Sequence, residues 1–460
     1  MSQLAEQLSK IAVLGLGKEG LDLLHFLRKL DINSVGLDEK SLVPTDRRYL
    51  EFKHLTHELR LGKHYLDNLG DFDLVFRSPG VSLDLLPIKR ARRRGVRFSS
   101  PIQLFFDLCP ALIVGITGTK GKSTTTSLIY HLLKGRSSGK VYMGGNIGYP
   151  PLNLLPKLTK KDVVVLELSS FQLEDMTKSP HIAVVLDVVP EHLNRHRTFK
   201  SYLAAKMNIV HHQTKNDWAI VSSDHKISST IALSIRGKKV RYSTRKVLPR
   251  GLYIADGEII HRDIKTGHRY PVMPVSEISL PGKHNLGNVL AAIAVALLLG
   301  VKPEKIRRRL KKFITLEHRL ELVGEKKGIK FINDSLATTP VATLAALETV
   351  AGPLTLILGG ASKKEDFRGL VNSLEHYPVQ GVILIGETAK KIHQLLKAAK
   401  VKFPVSQAKD FSAAVQQAYH YAEPRGTVLF SPACASFGWF TDAYDRGQQF
   451  KSLVNKIIHS

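Results

Sequence analysis

The chain has 460 residues, of which 43% are hydrophobic and 23% charged, and its 67 Lys+Arg against 40 Asp+Glu give a formal net charge of +27. This composition predicts a globular protein of two to four domains and excludes a disordered chain. No apolar run has membrane-spanning length, and no signal-peptide pattern is seen. With two cysteines, Cys109 and Cys434, we expect a cytoplasmic protein without a disulfide framework.

The basic excess has three candidate explanations: nucleic-acid binding, an anionic small substrate, or a general basic bias of solvated surfaces. The basic runs are Lys89–Arg97, Lys305–Lys312 and Lys326–Lys330, and none contains an aromatic residue. We therefore favour solvated surface charge and expect neither a nucleic-acid nor a membrane partner. A nucleic-acid-stimulated ATPase is kept as an alternative.

The first predicted element is a strand in the apolar run Ile11–Gly17. The pattern Gly15-x-Gly17-x-x-Gly20 then opens a helix-like segment that extends to about Leu30. Such glycines permit a tight turn and let a phosphate approach the helix N-terminus. The pattern alone is weak evidence for NAD, so an NAD-binding redox or sensor protein is a second alternative.

Two further strands complete this region. The strand Ser34–Asp38 ends on Asp38, about where a dinucleotide-binding fold places an acid on the ribose. The apolar run Phe72–Phe76 is closed by Ser78-Pro79-Gly80. The first hundred residues are thus predicted to form a small Rossmann-like domain.

A phosphate-binding loop is predicted at Gly115-Ile-Thr-Gly-Thr-Lys-Gly-Lys-Ser-Thr124, which follows the apolar run Ala111–Val114. The strict Walker pattern is missed by one place, because an isoleucine stands where its first glycine is expected. Glycines bring backbone N–H groups to the phosphates, and Lys122 would reach the outer ones. Ser123 or Thr124 would hold Mg²⁺. The sequence therefore predicts binding of a nucleoside triphosphate.

Two strands that are buried on both faces are predicted next, from the continuous apolar runs Val163–Leu168 and Ala183–Val189. Each is expected to end near a polar residue, Glu167 for the first and His192 for the second, at the edge where open α/β sheets bind ligands. A buried unpaired carboxylate is costly, so Glu167 is interpreted as a Mg²⁺ ligand. His192 becomes a candidate metal ligand by its position.

The remaining candidates of the central region are less distinctive. Lys206 has the spacing of a surface lysine on the helix-like segment Tyr202–His212, and residues 236–280 indicate a less regular β insert. Asn285 and Asn288 begin a long apolar helix, where they would share one face toward a nucleotide or simply cap the helix.

The pattern restarts near residue 317 as a separate α/β domain. Its predicted strands are Leu320–Val323 and Ile329–Ile332, which would pair as a hairpin, followed by Leu354–Leu358, Val382–Ile385 and Thr427–Phe430. Asp334 follows one of these strands and could bind a ribose or a metal. Cys434 has no histidine partner signal, so we predict no thiol nucleophile.

These motifs resemble the Mur ligase family over the whole chain. Shared with the family in general are the phosphate loop, Glu191-His192, Lys206, His284-Asn285 with Asn288, and His318-Arg319. Most similar to the D-glutamate-adding members are Gly144-Gly-Asn-Ile-Gly148, Leu166-Glu-Leu-Ser-Ser-Phe-Gln-Leu-Glu174, Asn333-Asp-Ser-x-Ala-Thr338 and Ser431-Pro-Ala-Cys-Ala-Ser436.

The resemblance implies a three-domain α/β protein. Residues 1–108 would be a Rossmann-like domain for a UDP substrate, 109–313 a central ATP-binding parallel sheet of P-loop type, and 314–460 a Rossmann-like amino-acid-binding domain. It implies a monomeric, ATP-dependent amide-bond-forming ligase that joins D-glutamate to UDP-N-acetylmuramoyl-L-alanine through an acyl phosphate, in cytoplasmic peptidoglycan precursor synthesis. Another Mur-type amide ligase or a folylpolyglutamate synthase-like enzyme is the alternative.

The resemblance also assigns site residues. The UDP substrate would contact Gly15, Gly17, Asp38, Ser78, Gly80, Asn146 and Gln172. ATP would contact Gly118, Thr119, Gly121, Lys122, Ser123, Thr124, Asn285, Asn288, Arg319 and Asp334. One Mg²⁺ would be held by Ser123 and Glu167, and a second by His192 and a carbamylated Lys206. The catalytic residues would be Lys122, Glu167, His192 and Lys206. D-Glutamate would contact Thr338, Lys363, Ser436 and Phe437.

The chain departs from the family pattern at four positions. Lys120 stands where asparagine is usual, Asn194 replaces a usual aspartate, and Thr339 stands where asparagine is common. Leu336 occupies the place of a lysine found in many members. Only Leu336 removes a charge from near the reacting groups, which puts the role of that lysine in doubt here.

Overall fold

The structure is a computed structural model that describes residues 10–147, 150–264, 266–280, 282, 285–313, 317–362, 365–422 and 424–460. The side chain of residue 194 is likewise outside the description. The chain divides into two compact units, Met1–Ile278 with His284–Lys312, and Ser279–Lys283 with Phe313–Ser460. Within the described ranges, no helix has the length and apolar character needed to cross a membrane.

The first unit begins with a five-stranded parallel sheet in the order β3-β2-β1-β4-β5. Its strands are β1 (Ile11–Leu14), β2 (Val35–Asp38), β3 (Glu58–Leu61), β4 (Leu74–Arg77) and β5 (Arg97–Ser99), and its helices are Lys18–Lys29, Arg47–Leu55 and Leu86–Arg93. The predicted Rossmann-like arrangement is confirmed. The two edge strands β3 and β5 were not predicted, because they are short, partly exposed and lack an apolar run.

The second sheet of this unit has nine strands in the order β14-β13-β12-β11-β10-β9-β6-β8-β7. Its strands are β6 (Leu112–Thr117), β7 (Val141–Gly145), β8 (Val163–Glu167), β9 (Ile182–Val185), β10 (Trp218–Ser222), β11 (Lys238–Ser243), β12 (Gly251–Ala255), β13 (Glu258–Arg262) and β14 (Arg269–Pro274). Its helices are Pro101–Leu108, Lys122–Leu133, Ser170–Leu173, Leu193–His196, Phe199–His211, Lys226–Ser234, Asn285–Leu298 and Pro303–Leu310. The predicted β insert continues this sheet, since β11 pairs in parallel with β10 and with β12, and only β13 runs in the opposite direction, pairing antiparallel with β12 and β14.

One predicted strand is shorter than expected. β9 ends at Val185 rather than Val189, because the following backbone makes one more bond to the last residue of β6 and then bonds to the phosphate loop. The N–H of Leu186 donates to the Thr117 carbonyl at 2.9 Å, and the N–H of Thr119 donates to the Asp187 carbonyl at 2.7 Å. The segment that leads to His192 therefore wraps around the loop, and the prediction that His192 directly follows a strand is wrong.

The second unit contains a six-stranded sheet in the order β15-β16-β20-β17-β18-β19. Its strands are β15 (Glu321–Lys326), β16 (Ile329–Asn333), β17 (Leu354–Gly359), β18 (Val379–Ile385), β19 (Val405–Gln407) and β20 (Thr427–Phe430), and its helices are Pro340–Leu347, Arg368–Ser373, Ala389–Ala398, Phe411–Tyr421 and Ala443–His459. The predicted hairpin is confirmed, with Lys327 and Gly328 both at positive φ in its turn. The short strand β19 was not predicted.

Leu356→Ala tests the core of the second unit. Leu356 lies in the central strand β17 with no exposed surface, so its truncation should lower the free energy of unfolding by about 2–5 kcal/mol. Leu322→Ala is the control, because Leu322 in β15 is 58% exposed and should change stability little. Urea unfolding of both variants measures the difference, and equal losses would contradict this assignment of the core.

Candidate active site

The phosphate loop connects β6 to the helix Lys122–Leu133. Gly121 adopts φ +81°, a left-handed conformation that favours glycine, and a Cβ at this position would collide with the side-chain oxygen of Asn288. Asn288 in turn donates to Asn285 Oδ1 at 2.9 Å and accepts from Thr125 Oγ1 at 3.2 Å. The predicted sharing of one face by the two asparagines is confirmed, and this face packs directly behind the loop.

Two lysine side chains converge on one backbone oxygen of this loop. Lys122 Nζ donates to the Gly118 carbonyl at 3.0 Å and to the Thr119 carbonyl at 2.7 Å. Lys206 Nζ donates to the same Gly118 carbonyl at 2.8 Å and to Thr117 Oγ1 at 3.4 Å. The loop thus holds two ammonium groups close together at the place where a triphosphate would bring negative charge.

Lys206 is 2% exposed, so its interpretation as a surface lysine is wrong. Burial, together with the neighbouring charge of Lys122, lowers the pKa of Lys206 to about 7. Its ammonium also lies 4.8 Å from the centre of the Tyr202 ring. A helical stripe of Tyr202, Lys206 and Ile209 was visible in the sequence and could have indicated this buried face.

Glu167 at the end of β8 lies beside the loop, since it is in register with Ile116 of β6. It is 3% exposed, and its Oε1 accepts a hydrogen bond from Asn146 Nδ2 at 2.8 Å. Its buried Oε2 has no hydrogen-bond partner within the described structure. A buried carboxylate oxygen in this state is costly unless a cation meets it, so the residue fits a Mg²⁺ ligand.

Few protein ligands are available for such an ion. In the part of the chain that the structure describes, no group of three or more His, Cys, Asp or Glu side chains could enclose a metal.

His192 packs against two aromatic rings. Its ring packs 5.1 Å from Phe171 and 6.4 Å from Tyr202, and its side chain is 48% exposed. Tyr202 connects it to the loop, because the phenol oxygen lies 3.0 Å from Thr119 Oγ1. Sequence reasoning missed His196, which is buried, stacks on Phe171 at 5.0 Å and bonds to a serine hydroxyl.

A cleft of about 650 Å³ lies over the glycine turn that follows β1. It brings together all five residues predicted there for the UDP moiety, which are Gly15, Gly17, Asp38, Ser78 and Gly80. The carboxylate of Asp38 accepts the N–H of Leu16 at 2.6 Å and so shapes the turn itself. Its contact with a ribose stays a prediction.

Gln172 joins this cleft to the central sheet. Its Nε2 donates to Glu19 Oε1 at 2.8 Å, and its Oε1 accepts the backbone N–H of Ser169 at 2.9 Å in a capping box. Burial raises the pKa of Glu19 to about 7. Sequence reasoning missed Glu19, although an acid inside a glycine-rich phosphate turn is an unusual feature that could have been noted.

In the second unit, Asp334 lies at the carboxyl end of β16 and is buried. Its carboxylate accepts Ser431 Oγ at 2.8 Å and the N–H of Leu320 at 3.2 Å, while burial raises its pKa to about 7. The Nε of Arg319 is buried with no hydrogen-bond partner in the described part of the chain. The contact of Asp334 and Arg319 with a nucleotide stays a prediction.

The residues predicted for D-glutamate are only partly brought together. Ser436 and Phe437 line a pocket of about 160 Å³ with Gly360 and Glu387, whereas Thr338 is outside its lining. Phe437 is 61% exposed. Lys363 lies outside the described residues.

The sequence does not predict a structural role for Arg446, because its neighbours in the chain form no recognisable motif. It is fully buried, donates to the carbonyls of Cys434 and Ala435 at 3.1 Å each, and bonds to the hydroxyl and carbonyl of Ser335. It therefore fixes the segment that leads to Ser436.

Three family models match the chain. Residues 9–100 match the MurD-like N-terminal domain of Mur ligases, 116–296 the Mur ligase middle domain, and 318–434 the Mur ligase glutamate ligase domain. The UDP-N-acetylmuramoylalanine–D-glutamate ligase of Acetivibrio thermocellus is 38% identical over 97% of this chain and 96% of its own length. The chain belongs to the Mur ligase family. The ligase of the same name from Symbiobacterium thermophilum is also 38% identical, over 97% of this chain and 98% of its own.

Solved structures of Mur ligases share the fold of this chain. UDP-N-acetylmuramate-alanine ligase MurC from Thermotoga maritima aligns with a TM-score of 0.59 at 19% identity, over 97% of this chain and 99% of its own. The MurF ligase of the same organism, solved with ADP, aligns with a TM-score of 0.56 at 18% identity, over 99% and 96%. At these identities the likeness concerns the three-domain Mur ligase fold alone.

Alkylation tests the exclusion of a thiol nucleophile in this Mur ligase. Cys434 is fully buried and burial raises its pKa to about 11, so iodoacetamide at neutral pH should leave it unmodified in the native protein. Cys109, which is partly exposed, should react faster, and both should react equally in denaturant. Peptide mass spectrometry measures the two rates; rapid native labelling of Cys434 would overturn the exclusion.

Proposed function

We propose that this Mur ligase is an ATP-dependent enzyme that adds D-glutamate to UDP-N-acetylmuramoyl-L-alanine in cytoplasmic peptidoglycan precursor synthesis. The observation that carries the proposal is its 38% identity, over nearly the whole of both chains, to ligases named for that reaction. The site geometry supports it, because a phosphate loop, a buried carboxylate and a buried lysine meet at one edge of the central sheet.

Three domains divide this work in the proposal. Residues 1–108 hold the UDP moiety in the 650 Å³ cleft, with Asn146 and Gln172 beside the muramoyl-alanine part. Residues 109–313 hold ATP. Residues 314–460 bring Arg319 and Asp334 to the nucleotide and the pocket at Ser436 to D-glutamate. The protein acts as a monomer.

The reaction is carboxylate activation. A carboxylate oxygen of the alanine attacks the γ-phosphorus of ATP, ADP leaves, and an acyl phosphate is formed. The amine of D-glutamate then attacks the carbonyl carbon, inorganic phosphate leaves with the bonding electron pair, and the amine loses a proton. Lys122, together with the N-terminus of its helix, stabilises the charge on the transferring phosphoryl group.

Two Mg²⁺ ions are assigned to this site, and when bound they neutralise charge on the phosphates. Ser123 and Glu167 would hold one, consistent with the unpartnered Oε2 of Glu167. His192 and a carbamate on Lys206 would hold the other. Addition of CO₂ to the neutral amine gives a carbamate and releases a proton, and a lysine whose pKa is about 7 supplies that amine near neutral pH.

An acceptor panel tests the proposed reaction. With ATP, Mg²⁺ and UDP-N-acetylmuramoyl-L-alanine, D-glutamate should support phosphate release roughly 100-fold or more above L-glutamate, D-alanine or L-alanine, because a pocket that recognises a second carboxylate rejects acceptors without one or of the wrong hand. Phosphate release is followed by a coupled assay and the product by mass spectrometry. Preference for another amino acid would assign the chain to a different Mur-type reaction.

Lys206 variants test the carbamate. Lys206→Ala should lose roughly 100-fold or more in activity while retaining ATP binding, and acetate should restore part of it by supplying the missing carboxylate. Lys206→Arg keeps the positive charge, cannot form a carbamate and should be inactive without rescue. In the wild type, ¹³C-bicarbonate should give a carbamate NMR signal that grows as the pH is raised through about 7, because deprotonation of the lysine precedes reaction.

Lys200→Ala is the matched control, since Lys200 is an exposed lysine on the same helix. It should keep full activity and the NMR signal. Full activity of Lys206→Arg, or a signal that persists in Lys206→Ala, would contradict the carbamate.

A further inference from the structure

The turn Ser78–Ser82, which follows β4, forms one wall of the 650 Å³ cleft. It is fixed to the glycine turn opposite, because Ser78 Oγ donates to the Gly15 carbonyl at 2.5 Å and the N–H of Val81 closes the turn on the Ser78 carbonyl at 3.1 Å. The directions of the other backbone N–H and carbonyl groups of the turn determine which hydrogen bonds this wall can make with a ligand.

Two arginine side chains donate hydrogen bonds to carbonyl groups of the turn. Arg77, at the end of β4 and fully buried, donates from one nitrogen to the Val81 carbonyl at 2.8 Å and to the Pro79 carbonyl at 3.4 Å. Arg195 donates from the central sheet's side to the same two carbonyls, at 2.7 Å for Val81 and 3.4 Å for Pro79. Both oxygens are therefore held on the arginine side of the turn.

The planarity of the peptide bond fixes the opposite groups. In a trans peptide the carbonyl and the following N–H point in opposite directions. The N–H of Gly80 shares a peptide with the Pro79 carbonyl, and the N–H of Ser82 shares one with the Val81 carbonyl. Both N–H groups consequently point away from the arginines, and both residues line the cleft.

The charges of the two arginines are offset behind the turn. Arg77 makes a two-pronged pair with Asp175, at 3.0 and 3.2 Å. Glu174 Oε2 lies 3.8 Å from Arg77 and 4.0 Å from Arg195 and has no hydrogen bond in the described structure. Two arginines and two acids leave this cluster without net formal charge, so the orientation of the turn, rather than excess positive charge, is what it adds behind the wall of the cleft. Arg195 also lines the cleft itself.

We propose that Arg77 and Arg195 are positioning residues that turn the N–H groups of Gly80 and Ser82 into the cleft as donors for an anionic diphosphate. The inference rests on the proposed function, which places the diphosphate of the UDP substrate in this cleft. Backbone N–H groups in a turn are effective ligands for such anions. The cluster also couples the two sheets of the unit, since Arg195 and Asp175 come from the region that carries ATP.

Arg195→Met tests the proposal. Methionine keeps an apolar stem on Phe171, over which Arg195 lies at 5.7 Å, but removes both donations to the turn. The KM for UDP-N-acetylmuramoyl-L-alanine should rise about 5–20-fold, while kcat and the KM for ATP change little, because charge-assisted hydrogen bonds that orient the binding wall are lost. Binding of UDP alone, measured by calorimetry, should weaken by a similar factor.

Arg197→Met is the matched control. Arg197 lies two residues away, is 71% exposed, and its guanidinium contacts Asp84 at 3.3 Å rather than the turn. The substitution removes the same positive charge and should leave kcat, the KM for the UDP substrate and the KM for ATP unchanged. Arg77→Lys should also raise the KM for the UDP substrate, because one ammonium cannot serve both Asp175 and the turn.

Each outcome of these measurements decides the proposal. An unchanged KM in Arg195→Met, an equal rise in Arg197→Met, or a loss confined to kcat would overturn it. Should Arg77→Lys unfold at the assay temperature, Arg195→Met alone carries the test, with its melting temperature compared with that of the wild type. Failure of the wild type to use D-glutamate would overturn the proposed reaction, whereas UDP binding by the variants still tests the turn.

Discussion

The arrangement of the site depends on the crowding of positive charge at the Gly118 carbonyl. Two lysine ammonium groups donate to this one oxygen, and one of them is buried. Two positive charges that share one hydrogen-bond acceptor in a poorly solvated place repel each other strongly, so one of the two ammonium groups tends to lose its proton. Negative phosphates, or conversion of one lysine to an anion, relieve the same repulsion. The loop therefore favours a triphosphate before any specific contact is counted.

This crowding is built by the order of the strands. β6 lies between β8 and β9, so the loop that follows it meets the carboxylate at the end of β8 on one side. On the other side, the backbone after β9 bonds to the loop and leaves the sheet early. The helix Phe199–His211 then brings Tyr202 and Lys206 against the loop. The strand, the loop and the helix each contribute side chains, and none forms the site alone.

Much of this could be predicted from the sequence, for physical reasons that differ between residues. The phosphate loop and Glu167 were recognisable because strands buried on both faces are continuous apolar runs, which makes a polar residue at their end conspicuous. The strand before His192 was predicted too long, because apolarity reports burial and Leu186 and Val188 are buried outside any strand. Lys206 was misjudged because its charge hid its place in a buried helical stripe.

Other groups could not be predicted, because their partners are distant in the chain. Arg77 bonds to Asp175, 98 residues away, and Arg446 bonds to Ser335, 111 residues away. A single sequence shows no pairing between such positions, and each arginine resembles any surface arginine until the fold buries it. The interpretation of the basic excess as solvated surface charge stays a prediction.

The packing of the helix Asn285–Leu298 against the helix Lys122–Leu133 has a consequence for the growing chain. Thr125 meets its partner Asn288 only after 163 further residues have been made. At roughly 5–20 residues per second, a ribosome needs about 8–30 seconds for that stretch. During this interval the apolar side of the phosphate-loop helix is left without the cover that completes its core. Slow or paused translation between these two helices would prolong the exposure.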